Sequence, residues 1–217
     1  MNNRDTEISM VTFRRMPVYL RCLYEMQDGG KEHVSSVALA KAVFENPSVV
    51  KKDLSYVIKN EGKPKVGHKV QDLINDIEEF LGYDNTHDAI LVGVGKLGQA
   101  LLGYTGFDEW GLKIVAGFDV NSEIVGKTIN GKDIIHMDEM ASEIVKRNIK
   151  MAVLTVPQEY AQGIANELIK AGIQAIWNFT PCHLSVPKTV ALKNENMASS
   201  LAVLSRQLKE ILRKEAN

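Results

Sequence analysis

The sequence predicts an α/β protein with a small helical domain at the N-terminus and a larger domain in which strands and helices alternate. Its 217 residues exceed one minimal domain but fall short of two full-sized ones. Apolar residues recur at helical spacing up to Leu81, and from Ala89 short apolar runs alternate with helical patterns. We therefore expect domains at residues 1–84 and 85–196, followed by a C-terminal helix at 197–217.

The composition is that of an ordinary globular protein, with 45% hydrophobic and 24% charged residues. The two cysteines, Cys22 and Cys182, are too few and too far apart for a disulfide framework or a thiolate metal site. No segment resembles a signal peptide, and no apolar run approaches the roughly 20 residues that span a bilayer. We expect a soluble, cytoplasmic protein.

The charge is unevenly distributed along the chain. Residues 1–70 hold 12 basic and 8 acidic side chains, a net charge of +4, whereas the remainder holds 14 and 19, a net charge of −5. A basic N-terminal part is compatible with contact to phosphates at that end, although an asymmetry of this size does not establish it.

Three helices are predicted in the first domain. The first, from Val11 to Gln27, ends at Gly29-Gly30, and the second, capped by Ser35 or Ser36, continues to Val43. After a turn at Asn46-Pro47-Ser48, the third covers Val49 to Ile58. This order is that of a helix-turn-helix unit, whose last helix enters the major groove of DNA.

A basic, turn-rich segment, Lys59–Lys69, follows and is suited to the hairpin of a winged helix-turn-helix, before a further helix at Val70–Leu81. Charged helix faces are usually just solvated, so the helix order and the basic wing carry the prediction of DNA binding. The candidate DNA-contacting residues are Ser48, Lys51, Lys52, Ser55, Tyr56, Lys63 and Lys65.

The second domain begins with a continuous apolar run, Ala89–Val92, typical of a strand that is buried on both faces of a parallel sheet. Further strands are predicted at 113–119, 151–156 and 175–178, with helices at 97–104, 137–148 and 160–171. This alternation indicates a doubly wound sheet. The tail from Met197 to Lys214 is an amphipathic helix that must bury its apolar stripe on its own domain or on a second subunit.

The segment Gly93-Val94-Gly95-Lys96-Leu97-Gly98 has the pattern GxGxxG directly after the first strand and at the start of a helix. In a Rossmann-like domain these glycines allow a tight turn, the approach of a pyrophosphate and close packing of helix on strand. Asp119, 21 residues after Gly98, ends the second strand, where an acid binds the adenine ribose and disfavours a 2′-phosphate. The pattern predicts NADH/NAD⁺ binding; a glycine-rich turn that binds another nucleotide, or none, is the alternative.

We find no candidate catalytic or metal-binding residues. No histidine is paired with an acid and an arginine in the manner of hydride-transfer enzymes. Cys182 and His183 are adjacent on an extended segment, where neighbouring side chains point to opposite sides. The remaining histidines, His33, His68, His87 and His136, lack metal-ligand spacing and are interpreted as solvated side chains of polar loops.

Many short segments resemble, in order, the redox-sensing transcriptional repressors of the Rex family. They are Arg15–Arg21, Val34–Ser36, Lys52–Tyr56, Gly93–Leu101, Tyr104–Phe107, Phe118–Val120, Thr155–Pro157, Ala171–Ile173 and Asn178–Pro181. The resemblance implies a homodimer that swaps its C-terminal helices, binds double-stranded operator DNA with NAD⁺ and releases it with NADH.

The resemblance also implies site residues. Cofactor contacts beyond the glycine motif and Asp119 fall on Tyr104, Val120, Thr155, Val156, Pro157, Asn178, Phe179, Thr180, Pro181 and Met197. The redox switch falls on Arg21, Tyr104 and Asn196.

The chain departs from the family at three places. Lys96 replaces the usual Asn or Arg, the glycine- and aromatic-rich wing is replaced by residues 57–65, and Asn196-Met197 replaces an Asp-Phe pair. An asparagine cannot supply the charge of the family's acid to Arg21, so a weaker switch, or a divergent paralogue, is expected. Two alternatives stay open: an NAD-dependent oxidoreductase with an unusual N-terminal domain, and a nucleotide- or CoA-binding module.

Overall fold

The computed structural model describes residues 8–59, 66–83 and 87–215. The chain divides into two compact units, Met1–Asn85 and Thr86–Asn217. Each unit is described on its own below.

The first unit is helical, with a two-stranded sheet. Its elements are α1 (Met10–Asp28), β1 (His33–Val34), α2 (Ser36–Ala42), α3 (Pro47–Val57), β2 (His68–Lys69) and α4 (Val70–Leu81). Side chains of Ser9, Ser35 and Asn46 accept hydrogen bonds from free amides in the first turns of α1, α2 and α3. The predicted helix-turn-helix order is confirmed, but α3 begins two residues before Val49 because Pro47 is suited to the first helical position.

The core of this unit lies between the four helices. Met16, Tyr19 and Leu23 of α1 are almost completely buried, and they pack with Leu39, Leu54 and Ile77 of the other helices. Strands β1 and β2 pair antiparallel, with His33 opposite Lys69. The central part of the predicted wing, residues 60–65, lies outside the described residues, so Lys63 and Lys65 do as well.

The second unit contains a seven-stranded sheet in the order β5-β6-β4-β3-β7-β8-β9. Its strands are β3 (His87–Val92), β4 (Leu112–Asp119), β5 (Thr128–Ile129), β6 (Lys132–His136), β7 (Met151–Leu154), β8 (Ala175–Asn178) and β9 (Ala191–Asn194). Among the described strands of this sheet, the pair β5·β6 is antiparallel and the others are parallel. Without β5, this is the strand order of dinucleotide-binding Rossmann domains.

Helices cover both faces of this sheet. The covering elements are α5 (Lys96–Leu102), a 3₁₀ helix (Thr105–Trp110), α6 (Met140–Arg147) and α7 (Gln158–Ala171), whereas α8 (Met197–Glu215) follows the last strand and its described residues pack on neither face. Ile90 and Val92 of β3 pack with α6 and α7, whereas Ala89 and Leu91 pack with Leu102 and Phe107 on the opposite face. The alternation follows from the two-residue period of a strand.

The structure corrects several details of the sequence analysis. Strands β5, β6 and β9 were not predicted, because their short segments have no continuous apolar run. Tyr104, expected at the end of a helix, lies beyond α5 and precedes the 3₁₀ helix. The four histidines outside the segment 182–183 lie in strands β1, β2, β3 and β6 rather than in loops.

Helix α8 leaves its apolar stripe exposed. Leu201, Leu204, Leu208 and Ile211, spaced by three or four residues, are between 53% and 62% exposed. No described part of this chain covers this stripe. In the described part of the chain, no helix is both long and apolar enough to cross a bilayer.

Candidate dinucleotide-binding and DNA-binding sites

The glycine motif forms the loop between β3 and α5, at the carboxyl edge of the parallel sheet. Strands β3 and β7 are neighbours here, and the chain leaves them in opposite directions across the sheet. The Thr155 hydroxyl, directly after β7, donates to the Gly93 carbonyl oxygen at 2.6 Å. The loop therefore lies at the point where ligands bind in open α/β sheets.

The three motif glycines meet different constraints. Gly93 has a φ of +94°, and an added Cβ would lie 2.8 Å from Val156. A Cβ on Gly98 would lie 2.1 Å from the Gly93 carbonyl oxygen, so α5 packs on the loop only without a side chain there. A Cβ on Gly95 would meet no heavy atom within 4 Å. Gly93 and Gly98 are therefore required by the fold itself, whereas Gly95 leaves free space above the loop.

Asp119 lies at the end of β4, beside the loop. One carboxylate oxygen accepts a hydrogen bond from the Val94 amide at 2.6 Å, and the other accepts from the Asn121 amide at 2.8 Å. A carboxylate has about four acceptor positions, so two remain for ribose hydroxyls. Val120, the next residue, is exposed. The structure thus brings Asp119 to the glycine loop, as a dinucleotide site requires.

The segment after β8 is a tightly bonded loop. Asn178 is fully buried, and its amide donates to the Cys182 carbonyl oxygen at 3.0 Å and to the Asn194 side-chain oxygen at 2.8 Å. Its own oxygen accepts from the Thr180 amide. Every polar group of the Asn178 side chain is thus used within the protein. Asn178 therefore shapes the loop that carries Phe179 and Pro181.

An aromatic cluster adjoins this loop. Tyr104 contacts Phe107, with ring centroids 4.8 Å apart, and Phe107 contacts Trp177 at 5.5 Å. Trp177 in turn contacts Phe179 at 4.8 Å. The cluster links two predicted site residues, Tyr104 and Phe179, that are far apart in sequence.

In the first unit, α3 exposes the predicted DNA-contacting residues of the helix. Ser48, Lys51 and Lys52 are exposed, and Tyr56 is partly exposed. The Ser55 hydroxyl donates to the Lys52 carbonyl oxygen at 2.7 Å, so its single donor is already used inside the helix. Ser48 and the two lysines therefore remain the predicted phosphate contacts on this helix.

A buried ion pair joins α3 to α1. Two nitrogens of Arg15 donate to the two carboxylate oxygens of Asp53, at 2.6 and 2.8 Å, and the Tyr19 hydroxyl donates at 2.8 Å. Burial by itself would raise the pKa of Asp53, but the hydrogen bonds from Arg15 and Tyr19 outweigh it and hold the pKa below its ordinary value. Burial and the bond to Asp53 raise the pKa of Tyr19.

The sequence analysis did not identify this pair, although the sequence contains a signal for it. Asp53 lies on the same helical face as Val50, Leu54 and Val57, which are all buried. An acid at a buried position requires a cationic or hydrogen-bonding partner. The partner itself, 38 residues earlier, could only be found from the fold.

The predicted switch residues have local partners. Arg21 on α1 is 84% exposed and pairs with Glu25 at 3.3 Å. The Asn196 side chain accepts a hydrogen bond from the Ser199 amide at 2.9 Å and so caps α8. Met197 begins α8, and its side chain lies outside the described part. The switch role of these residues stays a prediction.

Metal chemistry gains no support from the geometry. Among the described residues, no three His, Cys, Asp or Glu side chains are grouped so that they could hold a metal ion. The Cys182 thiol lies 3.3 Å from the Thr180 hydroxyl, as part of the loop after β8.

Two family descriptions match the chain. A putative DNA-binding protein N-terminus matches residues 7–55, and a CoA binding domain matches residues 84–182. The first covers the helix-turn-helix, and the second covers the glycine loop, Asp119 and the segment after β8.

Curated relatives match over almost the entire length. The redox-sensing transcriptional repressor Rex of Porphyromonas gingivalis is 43% identical over 95% of this chain and 94% of the relative. The protein of the same description from Bacteroides fragilis is 40% identical over 96% of both chains.

Solved structures agree with these relatives. The crystal structure of RSP, a Rex-family repressor, matches with a TM-score of 0.85 at 32% identity, covering 98% of this chain and 100% of that one. The structure of RSP with β-NAD⁺ and operator DNA matches with a TM-score of 0.88 at 33% identity, covering 98% of both chains. A structure of RSP with β-NADH also matches, with a TM-score of 0.85. This chain therefore belongs to the Rex family of redox-sensing transcriptional repressors.

Proposed function

We propose that this protein binds operator DNA as a repressor, senses the ratio of NADH to NAD⁺, and leaves the DNA when NADH is bound. One observation carries the proposal: a single chain combines an open glycine loop at the carboxyl edge of a Rossmann sheet with a helix-turn-helix that exposes lysines on its last helix. The near-complete match to RSP with β-NAD⁺ and operator DNA supports the pairing of these two sites.

The cofactor occupies the carboxyl edge of the sheet in this proposal. The pyrophosphate lies over Gly95, where the loop has free space, and Asp119 binds the adenine ribose. The carboxylate also disfavours the 2′-phosphate of NADPH. The segments 155–157 and 178–181 line the nicotinamide end, where Tyr104 and Met197 stay predicted contacts. Val120, which follows Asp119, stays a predicted contact at the adenine end.

The protein reads the redox state of the cofactor without reacting with it. Membership of a family of transcription regulators supports this part of the proposal. Sustained oxidation of NADH with added carbonyl compounds, at rates typical of enzymes, would contradict it.

We further propose a homodimer that is held together by α8. The apolar stripe of this helix is exposed along the described chain, and a second copy would cover it. Sedimentation of the purified protein is expected to give twice the mass of one chain.

A DNA-shift titration tests the main proposal. The probes are upstream regions of fermentative and respiratory genes, titrated with protein at saturating NAD⁺, at saturating NADH, and without cofactor. We expect at least one probe to bind with NAD⁺ and to be released by NADH. Equal affinity for every probe in the three conditions would contradict the proposed function.

A further inference from the structure

The connection between the Rossmann sheet and α8 is short, and each of its side chains makes a hydrogen bond. We call residues 194–196, which run from the last residue of β9 to the residue before α8, the junction. The Glu195 amide also donates to the Asn178 carbonyl oxygen at 2.8 Å, which extends the β8·β9 ladder by one bond. No flexible linker therefore separates the sheet from the helix.

The first bond ties the junction to the loop after β8. Asn194 lies opposite Asn178 in the parallel pair β8·β9, and its side-chain oxygen accepts from the Asn178 amide at 2.8 Å. Asn178 is fully buried and also holds the Thr180 amide and the Cys182 carbonyl oxygen. A shift of the loop that carries Phe179 must therefore move Asn194 or break this partly buried hydrogen bond.

The second bond ties the junction to the aromatic cluster. The Trp177 indole N–H donates to a carboxylate oxygen of Glu195 at 2.8 Å, and Lys193 pairs with the same oxygen at 3.2 Å. The Trp177 ring lies between Phe107 and Phe179, and Phe107 contacts Tyr104. Tyr104 is thus connected to Glu195 through a continuous chain of packed rings.

The two bonds come from opposite faces of the sheet. Trp177 and Asn178 are consecutive in β8, so their side chains point to opposite sides. The third residue, Asn196, caps α8 through the Ser199 amide. The junction is therefore held from both faces, and its last residue fixes the first turn of the helix.

We propose that Trp177–Glu195 and Asn178–Asn194 are positioning contacts that transmit a change at the nicotinamide end of the cofactor site to the direction of α8. This inference rests on the proposed function, since it describes how one part of that function reaches another. The loop after β8 and the aromatic cluster both border the proposed nicotinamide end. The loop is hydrogen-bonded to the junction through Asn178, and the cluster is hydrogen-bonded to it through Trp177. The contacts act through α8 and do not touch the cofactor or DNA themselves.

Matched pairs of substitutions on the junction test this proposal. Asn194→Leu removes the acceptor for Asn178, whereas Asn194→Asp keeps an acceptor oxygen in the same place. Glu195→Leu removes the acceptor for Trp177, whereas Glu195→Gln keeps an oxygen acceptor without the charge. Glu195 is about one-third exposed, 32%, and Asn194 is partly exposed, so these variants do not disturb a closed core.

For each full-length variant, the measured quantities are the NADH dissociation constant, the melting temperature, and the ratio of DNA affinities with saturating NAD⁺ and with saturating NADH. We expect Asn194→Leu and Glu195→Leu to lower the ratio by about threefold to tenfold. NADH affinity should stay within about twofold of the wild type, because neither residue contacts the cofactor. Asn194→Asp and Glu195→Gln should keep the wild-type ratio.

Each outcome separates this inference from the proposed function. If the wild type responds to NADH and both leucine variants keep its ratio, the junction does not transmit the signal. If Asn194→Asp and Glu195→Gln lower the ratio of DNA affinities as much as the leucine variants do, the hydrogen bonds are not responsible for the coupling. This result also overturns the inference. If the wild-type protein binds DNA equally well with NAD⁺ and with NADH, the proposed function itself is contradicted. The variants then cannot differ in a response that the wild type lacks. A melting temperature that falls while the ratio is kept indicates a structural role only, and this also overturns the inference.

Discussion

Gly95 differs from the other two motif glycines because the fold itself would accept a side chain there. Its φ is −72°, a value that any residue adopts, and the position is exposed. Gly95→Val is therefore expected to fold normally and to lose NADH binding, since the valine would occupy the space over the loop that the pyrophosphate needs.

Fluorescence titration with NADH measures this effect, and the melting temperature shows whether the fold is kept. Gly163→Val, at an exposed and equally open position on α7, is the matched control and should bind NADH as the wild type does. If Gly95→Val binds NADH as the wild type does, the pyrophosphate does not bind over this loop.

Asp119 combines two roles that substitution can separate. Asp119→Ala should weaken NADH binding and relax the discrimination against NADPH, because it removes the ribose acceptor and the charge that repels the phosphate. It also removes the acceptor of the Val94 amide. Asp119→Asn keeps one acceptor oxygen for that amide but loses the charge, so it should relax discrimination with less damage to the loop.

The check is the ratio of NADH to NADPH dissociation constants for the wild type and both variants. If both variants exclude NADPH as strongly as the wild type does, another residue sets the cofactor preference.

Asp53 contributes to stability as a carboxylate. Because its folded pKa is lowered, its contribution is fully present above the unfolded pKa of about 3.9 and is lost as the pH falls through the folded value. Asp53→Asn should lower the free energy of unfolding at pH 7 by about 3 kcal/mol, the lower end of the range for a buried pair, because Arg15 is still 24% exposed.

Urea unfolding at pH 7 and at lower pH measures this difference. It should begin to shrink below about pH 4, where the unfolded chain takes up a proton on Asp53, and shrink further as the pH falls through the lower pKa of the folded carboxylate. Asp28→Asn, which removes an exposed acid at the end of α1, is the control and should change stability little. A difference of the same size at every pH would exclude the ion pair as its cause.

At the scale of elements, one face of α3 packs against α1 and the opposite face is exposed to solvent. The pair Arg15–Asp53 fixes the helix against α1, while Lys51 and Lys52 remain in solvent. If each lysine neutralises one phosphate, Lys51→Ala and Lys52→Ala should each weaken DNA binding and lower the salt-dependence slope by about 0.9.

The slope is measured from DNA affinity at several salt concentrations. Lys170→Ala, on an exposed position of α7, is the control and should keep the wild-type slope. Wild-type slopes for both α3 variants would place the phosphate contacts elsewhere, for which Lys63 and Lys65 are the remaining predicted residues.

At the scale of the whole molecule, the proposed switch depends on a difference in free energy between two states. If Asn196 stands where an acid would hold Arg21 in one redox state, this protein couples NADH to DNA more weakly than a relative with the acid. Asn196→Asp should strengthen the response, and because aspartate is also a good N-cap residue, α8 should keep its first turn.

The ratio of DNA affinities with saturating NAD⁺ and with saturating NADH measures the coupling. Asn196→Ser keeps a cap without a charge and is the matched control. A ratio that Asn196→Asp leaves unchanged would mean that residue 196 is not part of the switch, or that Tyr104 and Met197 govern it alone.

The sequence by itself determined the features that depend on neighbours in the chain. The helices of the first unit follow from apolar spacing and from caps such as Ser35 and Asn46, and the glycine loop follows from the requirements of one tight turn. Asp119 could be placed at the same edge because parallel strands end together. Local periodicity and turn chemistry act over a few residues, so a single sequence displays them.

Only the tertiary structure decided which distant side chains meet. Arg15 meets Asp53 across 38 residues, and Trp177 meets Glu195 across 18 residues, because separate elements pack there. Strand β9 exists because β8 offers it a ladder, although its own segment has no strong strand pattern. Asn178, predicted as a cofactor contact, has its polar groups occupied by Asn194, Thr180 and Cys182. Such partners depend on packing across the whole fold, and no short-range pattern in the chain specifies them.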